Sequence, residues 1–418
     1  MERRFKRVLS SGSLLAAVAA AATGLASCGG GGGGGGDVST STDPTVLASG
    51  QQIFRHDTFG DEIFWTDTLQ MNHVIDGSTT PPSAGVSPAT ALAVGLKVDV
   101  DALPPAVQTA IAKGQVDLND SQTTLTLLKL NAVIGLEGTV STDANNVMHL
   151  DRLGVTCAAC HSTVDNSFTK GIGHRLDGWP NRDFNSGAIV ALSPVLSAAQ
   201  KAVYNSWGPG KYDARFNQDG LNKPSVIPPA FGLAGVHKTT VTGDGDDIMY
   251  WNRYVAVTQL GGQGTFSDAR TGVNVTHGPA DLVSSALPAL QAYQLSLASP
   301  QPPAGSFDPT AAARGQQLFQ GKAQCATSHS GAQFTDANER LHPVSDSMAE
   351  PEVPSAAARS ATKQYRTTPL RGVWQHAPYF HDGSAPTLDA VVTIYNTKRI
   401  LGLTPQEVSD VAEYLRSL

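Results

Sequence analysis

The stretch that decides the fold is Cys157-Ala158-Ala159-Cys160-His161, within a chain of 418 residues. Two cysteines separated by two residues and followed directly by a histidine form a CxxCH motif. Thiols at this spacing add to the two vinyl groups of haem, and the adjacent histidine then binds the iron. The motif predicts a covalently attached haem c, with thioethers from Cys157 and Cys160 and with His161 as iron ligand.

This motif has three other interpretations. A thioredoxin-like redox pair opens a helix after a strand in a βαβ unit, and we see no such pattern around Cys157. A zinc site needs two more nearby ligands, whereas the chain has no second CxxC. A coincidental CxxCH in a binding protein without haem is the remaining alternative, and it predicts that no covalent haem forms.

Composition limits the class of protein. The chain carries a net charge of −7 and has no Lys/Arg block beyond its N-terminus, so binding to nucleic acid through phosphate neutralisation is not expected. No uninterrupted apolar run reaches the roughly 18 residues that a spanning helix needs. Four cysteines are too few for a disulfide scaffold.

The N-terminus has the pattern of an export signal. Basic residues at positions 3–7 precede an apolar stretch at 14–22 and then Leu25-Ala26-Ser27-Cys28. This pattern resembles a lipoprotein signal, which implies a signal peptide over 1–27 and lipidation of Cys28; an ordinary signal peptide is the alternative. Glycines 29–36 predict a flexible tether over 28–44. We therefore expect a periplasmic protein with a lipid anchor, in the outer membrane rather than the inner one.

A second, degenerate motif is Cys325-Ala326-Thr327-Ser328-His329, in which serine replaces the second cysteine. It follows Ala312–Phe319, a predicted helix of the kind that precedes the haem cysteine in c-type cytochromes. We expect a second haem c held by one thioether from Cys325 and ligated by His329. The alternative is a decayed site without haem.

The two halves of the chain repeat one plan. Ala48–Phe54 matches Ala313–Phe319 at the start of each half, and Tyr293–Leu297 matches Tyr414–Leu418 at the end. Repeats of this kind divide a chain. They predict a first domain over 45–298, a Pro-rich linker over 299–308 and a second domain over 309–418.

The first half is the longer one. Phe54 lies 103 residues before Cys157, and Phe319 lies six before Cys325, so the first half carries an insertion of about 97 residues, at about 57–150. Short helices are predicted in it at 106–112 and 123–134. We assign no chemistry to the insertion, which either covers the first haem or docks a partner.

The predicted fold is mainly α. The last segment shows this best, because Thr404 is a candidate N-cap, Pro405 fits the first helical position and Glu407 completes a capping box. Few segments alternate as strands do, and many Gly and Pro residues indicate long loops.

Within the second half, Arg366–Val373, Pro378–Ser384 and Thr387–Tyr395 resemble the C-terminal domain of the bacterial di-haem cytochrome c peroxidase and MauG-type superfamily. The resemblance covers about 309–418; over 45–300 it rests on one CxxCH and on layout. It implies two cytochrome c-like domains, each with one haem, and electrons that pass between them. In that superfamily the first haem meets peroxide and the second takes in electrons.

The resemblance also implies distal ligands. A Met in the peroxidases, and a Tyr in MauG-type members, binds the second iron at about the position of Tyr395, with His376 and His381 as rival candidates. A helix-packing role for Tyr395 is the alternative. For the first iron the candidates are Met249 and His174, each of which also fits an ordinary structural role.

Two arginine-containing segments, Arg175–Trp179 and Asn181–Asp183, resemble the haem-propionate neighbourhood of the superfamily, where guanidinium groups pair with carboxylates. Solvated salt bridges at the surface are the alternative for these arginines.

The catalytic question stays open at this point. Peroxide cleavage needs a distal acid or base, yet no Glu occurs between Cys157 and the linker, and Asp244, Asp246 and Asp247 are the only substitutes that we see. We therefore expect a di-haem cytochrome that relays single electrons, with a small cytochrome or a cupredoxin as redox partner. The alternative is a peroxidase or a MauG-like oxidase that reduces hydrogen peroxide at the first haem.

Overall fold

A computed structural model describes residues 41–348 and 354–418. The predicted signal peptide, Cys28 and most of the tether lie outside these residues. In the described part of the chain, no helix is long and apolar enough to span a membrane.

Helices provide most of the regular structure, as the sequence predicts. Fourteen helical segments in the described residues are labelled here in chain order: α1 Pro44–His56, α2 Met71–Asp76, α3 Pro88–Ala93, α4 Pro105–Ala112, α5 Ser121–Lys129, α6 Ala158–His161, α7 Ser186–Val190, α8 Ala198–Asn205, α9 Phe216–Asp219, α10 Ile248–Thr258, α11 Leu287–Ser296, α12 Pro309–Gln320, α13 Leu388–Arg399 and α14 Pro405–Arg416. A π-helical segment at Ile63–Thr68 and several short 3-10 turns lie between them.

Local sequence signals fix several of these helix starts. Asp43 and Thr404 cap α1 and α14, and a proline occupies the first turn of each helix. The Thr404 hydroxyl accepts from the Glu407 N–H, and the Glu407 carboxylate accepts from the Thr404 N–H, which completes the predicted capping box. Sequence reasoning is therefore confirmed for the terminal helix.

Strands are more frequent than the sequence suggests. The described residues contain five two-stranded sheets, formed by β1 Val98–Asp99, β2 Leu136–Thr142, β3 Met148–Val155, β4 Ser162–Val164, β5 Ile172–Gly173, β6 Arg175–Asp177, β7 Lys211–Tyr212, β8 Ser225–Val226, β9 Gly264–Asp268 and β10 Val273–His277. Most are two or three residues long, too short for alternation to be visible in sequence.

The insertion contains more than the two predicted helices. The first of them is confirmed as α4, and the second begins at Ser121 and ends at Lys129, short of the predicted end at 134. The β2–β3 hairpin begins within the predicted insertion, runs past its end at about 150 and leads directly to the first motif.

The repeated sequence motifs at the two ends of each half form matching helix pairs. Helix α1 packs on α11, and α12 packs on α14. Each crossing has a glycine at closest approach: a Cβ on Gly50 would collide with the Ala289 carbonyl oxygen, and one on Gly315 would collide with that of Asp410. The glycine of each GQQ motif is thus required by close helix packing.

An aromatic pair accompanies each crossing. The rings of Phe54 and Tyr293 lie 5.6 Å apart, and those of Phe319 and Tyr414 lie 5.2 Å apart. Tilted pairs at this spacing stabilise packing beyond the area that they bury. The two helix pairs are therefore structural counterparts.

Buried apolar clusters respect the same division. One cluster draws only on residues from Leu318 to Leu418, and the others draw only on residues from Ile53 to Leu297. Each half therefore has apolar packing of its own, while the division into two separate domains stays a prediction.

Candidate haem centre

The first motif follows strand β3 and forms the one-turn helix α6. Ala158 and Ala159 are buried, and Gly135 passes so close to Ala159 that a Cβ would collide with the Ala159 main chain. Gly135 also has a φ of +84°, a conformation that favours glycine. The turn that carries Cys157, Cys160 and His161 is therefore fixed by close backbone packing against Gly135.

The second motif begins with a 3-10 turn, Cys325–Thr327. The His329 N–H donates to the Cys325 carbonyl oxygen at 2.9 Å, which closes the turn between the thiol and the imidazole. With Ser328 in place of the second cysteine, the turn still places His329 next to Cys325.

Both motif histidines are anchored in the same way. His161 Nδ1 lies 3.1 Å from the Pro228 carbonyl oxygen, and His329 Nδ1 lies 3.0 Å from that of Phe334. A carbonyl oxygen only accepts hydrogen bonds, so Nδ1 carries the proton and Nε2 keeps its lone pair. This is the tautomer that a metal-binding imidazole needs, with its second nitrogen fixed by a backbone partner.

The imidazoles are also kept neutral. Burial lowers the pKa of His161 to about 4 and lowers the pKa of His329. Because a protonated imidazole cannot bind a metal, neutral rings at neutral pH favour ligation.

The three cysteines in the described part of the chain are unpaired thiols. Burial raises the pKa of Cys157 and of Cys160 to about 12, and that of Cys325 to about 11. They are neutral at physiological pH, and no disulfide joins Cys157 to Cys160. The thiols are thus in the form that thioether attachment to haem vinyl groups starts from.

One continuous cavity of about 1040 Å³ joins the two motifs. Its wall includes Cys157, Cys160 and His161 from the first half, and Cys325 and His329 from the second. A buried cleft of this size, lined mostly by apolar side chains, is typical of cofactor sites. The structure therefore brings together the two motifs that the sequence singles out.

The insertion forms part of the cavity wall. Its contribution is apolar and lies on the side of the first motif, with the side chains of Phe64, Trp65, Leu69, Met71 and Ile75. Of the two roles open for the insertion, covering the first haem is the one that this placement favours.

Two partly buried arginines on the cavity wall have spare donors. Arg182 Nη2 donates to the His376 carbonyl oxygen at 2.7 Å, and Arg366 Nη1 donates to that of Lys238 at 2.7 Å. Nε and Nη1 of Arg182, and Nε of Arg366, have no hydrogen-bond partner among the described residues. Burial lowers the pKa of each arginine to about 10.

Spare guanidinium donors on a buried wall call for an anion, because a buried cation without a partner is costly. Haem carries two propionate carboxylates, which match guanidinium groups well. Together with the thiols and the neutral imidazoles, Arg182 and Arg366 make the residues present fit haem c. Arg182 belongs to a segment that resembles the propionate neighbourhood; Arg175 is instead paired with Asp99, at 2.8 Å.

The candidate distal ligands of the second iron all lie on the cavity wall. Tyr395, His376 and His381 contribute to it. Burial, and after it the nearby Cys325, raises the pKa of Tyr395 to about 12. Burial lowers the pKa of His376 to about 3. The geometry brings Tyr395 close to the second motif, and its role as an iron ligand stays a prediction.

The candidate distal ligands of the first iron are placed differently. Met249 is outside the cavity wall, although Ile248, Trp251 and Asn252 of the same helix α10 contribute to it. His174 is exposed, with Nδ1 at 2.9 Å from an Asp101 carboxylate oxygen, and it is also outside the wall. The structure therefore does not bring either side chain to the first motif's cavity.

The proposed acidic substitutes are also engaged elsewhere. Asp244 pairs with Arg215, and Asp246 pairs with Lys238. Asp247 caps α10 by accepting from the Met249 N–H at 2.8 Å. None of the three contributes to the cavity wall.

Sequence reasoning missed a polar cluster beside the second motif. Asp336 is buried and lies 2.7 Å from Arg340 Nε and 3.0 Å from His342 Nε2. Arg340 also donates to the Thr327 carbonyl oxygen at 3.0 Å. No motif marks these residues, and only their folding onto the turn after Cys325 reveals them.

The sequence matches a known family model over a short segment. A family model described as RoxA-like, cytochrome c-like matches residues 364–400. This segment is cytochrome c-like. The match contains Arg366, His376, His381 and Tyr395, so it confirms, for this part of the second half, the predicted resemblance to the di-haem c-type superfamily. The match favours haem c as the class of cofactor.

Solved structures show a weaker likeness. The di-haem peroxidase BthA from Burkholderia thailandensis is 17% identical, with 63% of this chain and 81% of that chain covered and a TM-score of 0.35. A MauG-like protein associated with microbial copper homeostasis is 20% identical, with 48% and 75% covered and a TM-score of 0.33. Hydrazine synthase from Kuenenia stuttgartiensis is 20% identical, with 48% and 74% covered and a TM-score of 0.32. Such TM-scores are too low to transfer structural detail. No curated protein matches the chain.

Proposed function

We propose that this protein is a di-haem c-type oxidoreductase that reduces hydrogen peroxide at the first haem, with electrons supplied through the second. The carrying observation is the shared cavity: both motifs line it, while Met249, the thioether that would block the first iron, is outside its wall. A haem iron held there by His161 alone would keep a position open for a substrate.

The chain's own residues then have defined roles. Cys157 and Cys160 would hold the first porphyrin, Cys325 would hold the second, and His161 and His329 would supply nitrogen ligands to the irons. When bound, the haem irons supply one-electron redox chemistry.

Orientation and solvent exclusion are the remaining tasks of the protein. Arg182 and Arg366 would orient the propionates, and the insertion's apolar wall, with Phe64 and Trp65, would keep water away from the first haem. Tyr395 is the proposed distal ligand of the second iron.

A second candidate function is the simple relay of single electrons. It is favoured by the scarcity of carboxylates on the cavity wall. Among the described residues only Asp213 and Asp346 contribute to that wall. Asp213 is tied to Arg359 at 2.9 Å and is not available as a proton carrier. A relay needs no distal acid, whereas peroxide cleavage needs a group that moves a proton between the oxygens.

The test is peroxide consumption by the two-haem protein in the presence of a reduced small cytochrome. We expect turnover in the wild type and a fall of about tenfold or more in the Cys325→Ala/His329→Ala double variant, because electrons no longer enter through the second haem. Met249→Leu is the control, and we expect it to leave turnover unchanged because Met249 lies outside the cavity wall.

Two results would decide for the relay. One is a ferric first haem whose spectrum is unaffected by peroxide. The other is a Met249→Leu variant that gains peroxide reactivity, since this would mean that Met249 occupies the open position.

Location and partner complete the proposal. The signal-like N-terminus supports a periplasmic protein anchored through lipid on Cys28, in the outer membrane rather than the inner one. A small cytochrome or a cupredoxin is the proposed electron donor.

A further inference from the structure

Arg359 of the second half inserts its guanidinium into a loop of the first half, residues 213–223. Its side chain is 5% exposed, and that of Asp213 is 2% exposed. Nη2 lies 2.9 Å from an Asp213 oxygen, and Nε lies 2.7 Å from an Asp219 oxygen. Two carboxylates thus hold one guanidinium, which the planar fork of arginine allows and a lysine ammonium does not reproduce.

The loop closes around the same group. Arg359 also donates to the Leu221 carbonyl oxygen at 3.0 Å and to that of Lys223 at 3.4 Å. Asp213 accepts from the Lys223 N–H at 2.6 Å, so the two ends of the loop meet at the carboxylate that Arg359 neutralises. Removal of the guanidinium leaves Asp213 buried without this cation.

The first half binds the main chain beside Arg359 in return. Arg215 Nη1 donates to the Arg359 carbonyl oxygen at 3.0 Å. The Ala361 N–H donates to an Asp244 carboxylate oxygen at 2.8 Å. The contact between the halves is therefore reciprocal at this point: a side chain of each half holds the backbone or the carboxylates of the other.

The same loop forms part of the haem cavity. Residues 213–217 and Arg359 itself contribute to the wall that also contains both motifs. Arg359 thus joins the first-half part of this wall to the second half.

We propose that Arg359 is a positioning residue for electron exchange between the two haems, because it holds the two halves at a fixed separation. This inference rests on the proposed di-haem function. The exchange is one electron from a ferrous iron to a ferric iron, so one haem is oxidised as the other is reduced and no bond forms or breaks.

The experiment compares Arg359→Gln and Arg359→Lys with the wild type in the full-length protein loaded with both haems. The control is Arg253→Lys, the same substitution in a pair that lies within the first half, where Arg253 bonds to Asp281 at 3.0 Å. Three quantities are measured: haem per chain, amide hydrogen exchange of residues 213–223, and the rate of inter-haem electron exchange after flash release of carbon monoxide from half-reduced protein.

We expect two haems per chain in every variant, faster amide exchange at 213–223 in both Arg359 variants, and measurably slower electron exchange than in the wild type. Arg359→Lys is the milder variant because it keeps the charge. Arg253→Lys has the wild-type rate.

Unchanged electron exchange in both Arg359 variants, with two haems bound, overturns the inference even if the loop becomes more mobile. Wild-type protein with two haems and no exchange overturns the proposed function instead. Should the Arg359 variants fail to retain haem, Asp219→Asn decides, since it removes the half-buried carboxylate and leaves Asp213 paired; a wild-type exchange rate in that variant contradicts the inference.

Discussion

At the scale of single residues, the hydrogen bonds of His161 and His329 define what the site can do. In each case a backbone carbonyl oxygen takes the Nδ1 proton, and burial keeps the ring neutral. A histidine with a purely structural role does not require the same hydrogen bond in both halves. The repeated anchor is the residue-level reason to regard both motifs as iron sites.

Tyr395 provides the residue-scale prediction. If its phenol oxygen binds the second iron, Tyr395→Met raises the reduction potential of that haem by about 0.2 V or more, within the roughly 0.8 V range that axial ligands span. A thioether stabilises ferrous iron, whereas a phenolate stabilises ferric iron. Spectroelectrochemical titration of the two-haem protein measures the shift.

Tyr395→Phe is the matched control for the ligand role. It removes the oxygen and keeps the ring that packs near Phe380, with centroids 6.3 Å apart. Equal potentials in the wild type, the Met variant and the Phe variant would show that Tyr395 only packs.

At the scale of elements, the two halves share a helix pair, and the first helix of each pair contacts the turn of its motif. Helices α1 and α12 carry the GQQ repeat, and each crosses the last helix of its half at a glycine. Because the helix backbones are in contact at the glycine, the first helix of each half can approach the last helix at only one distance. The sequence repeat therefore reflects the close packing of these helices.

Gly315→Ala tests this packing. Its Cβ has no room beside the Asp410 carbonyl oxygen, so α12 and α14 must move apart, and we expect a loss of about 1–3 kcal/mol in the free energy of unfolding. The loss outweighs the better helix propensity of alanine, which is about 1 kcal/mol. Denaturant unfolding of the haem-loaded protein measures it.

Gln317→Ala serves as the control on the same helix, because Gln317 is exposed. Its effect is expected within about 0.5 kcal/mol. A Gly315→Ala protein that is as stable as the control would show that the crossing can relax at no cost.

At the scale of the whole molecule, the sequence predicted the features that depend on short stretches of chain. The motif Cys157–His161, the terminal capping box and the repeat are short patterns with a direct structural meaning, and the structure contains each of them. The family match over 364–400 supports the resemblance read from Arg366 to Tyr395.

Long-range features were beyond the sequence. The spare donors of Arg366, the loop around Arg359 and the position of Met249 outside the cavity depend on contacts between segments more than a hundred residues apart. Their residue types carry no spacing signal, because a helix such as α10 can present either Met249 or Trp251 to the cavity. Tertiary packing decides which one it is.

The central claim is that each half holds one haem c. The measurement is a reduced pyridine haemochrome spectrum, together with the intact mass of the same sample, from a host that matures c-type haems. We predict two haems per chain, with a band slightly red-shifted from a pure two-thioether species because Cys325 provides a single thioether. One haem per chain would contradict the account, since the second half would then be a decayed site and no electron could pass between haems.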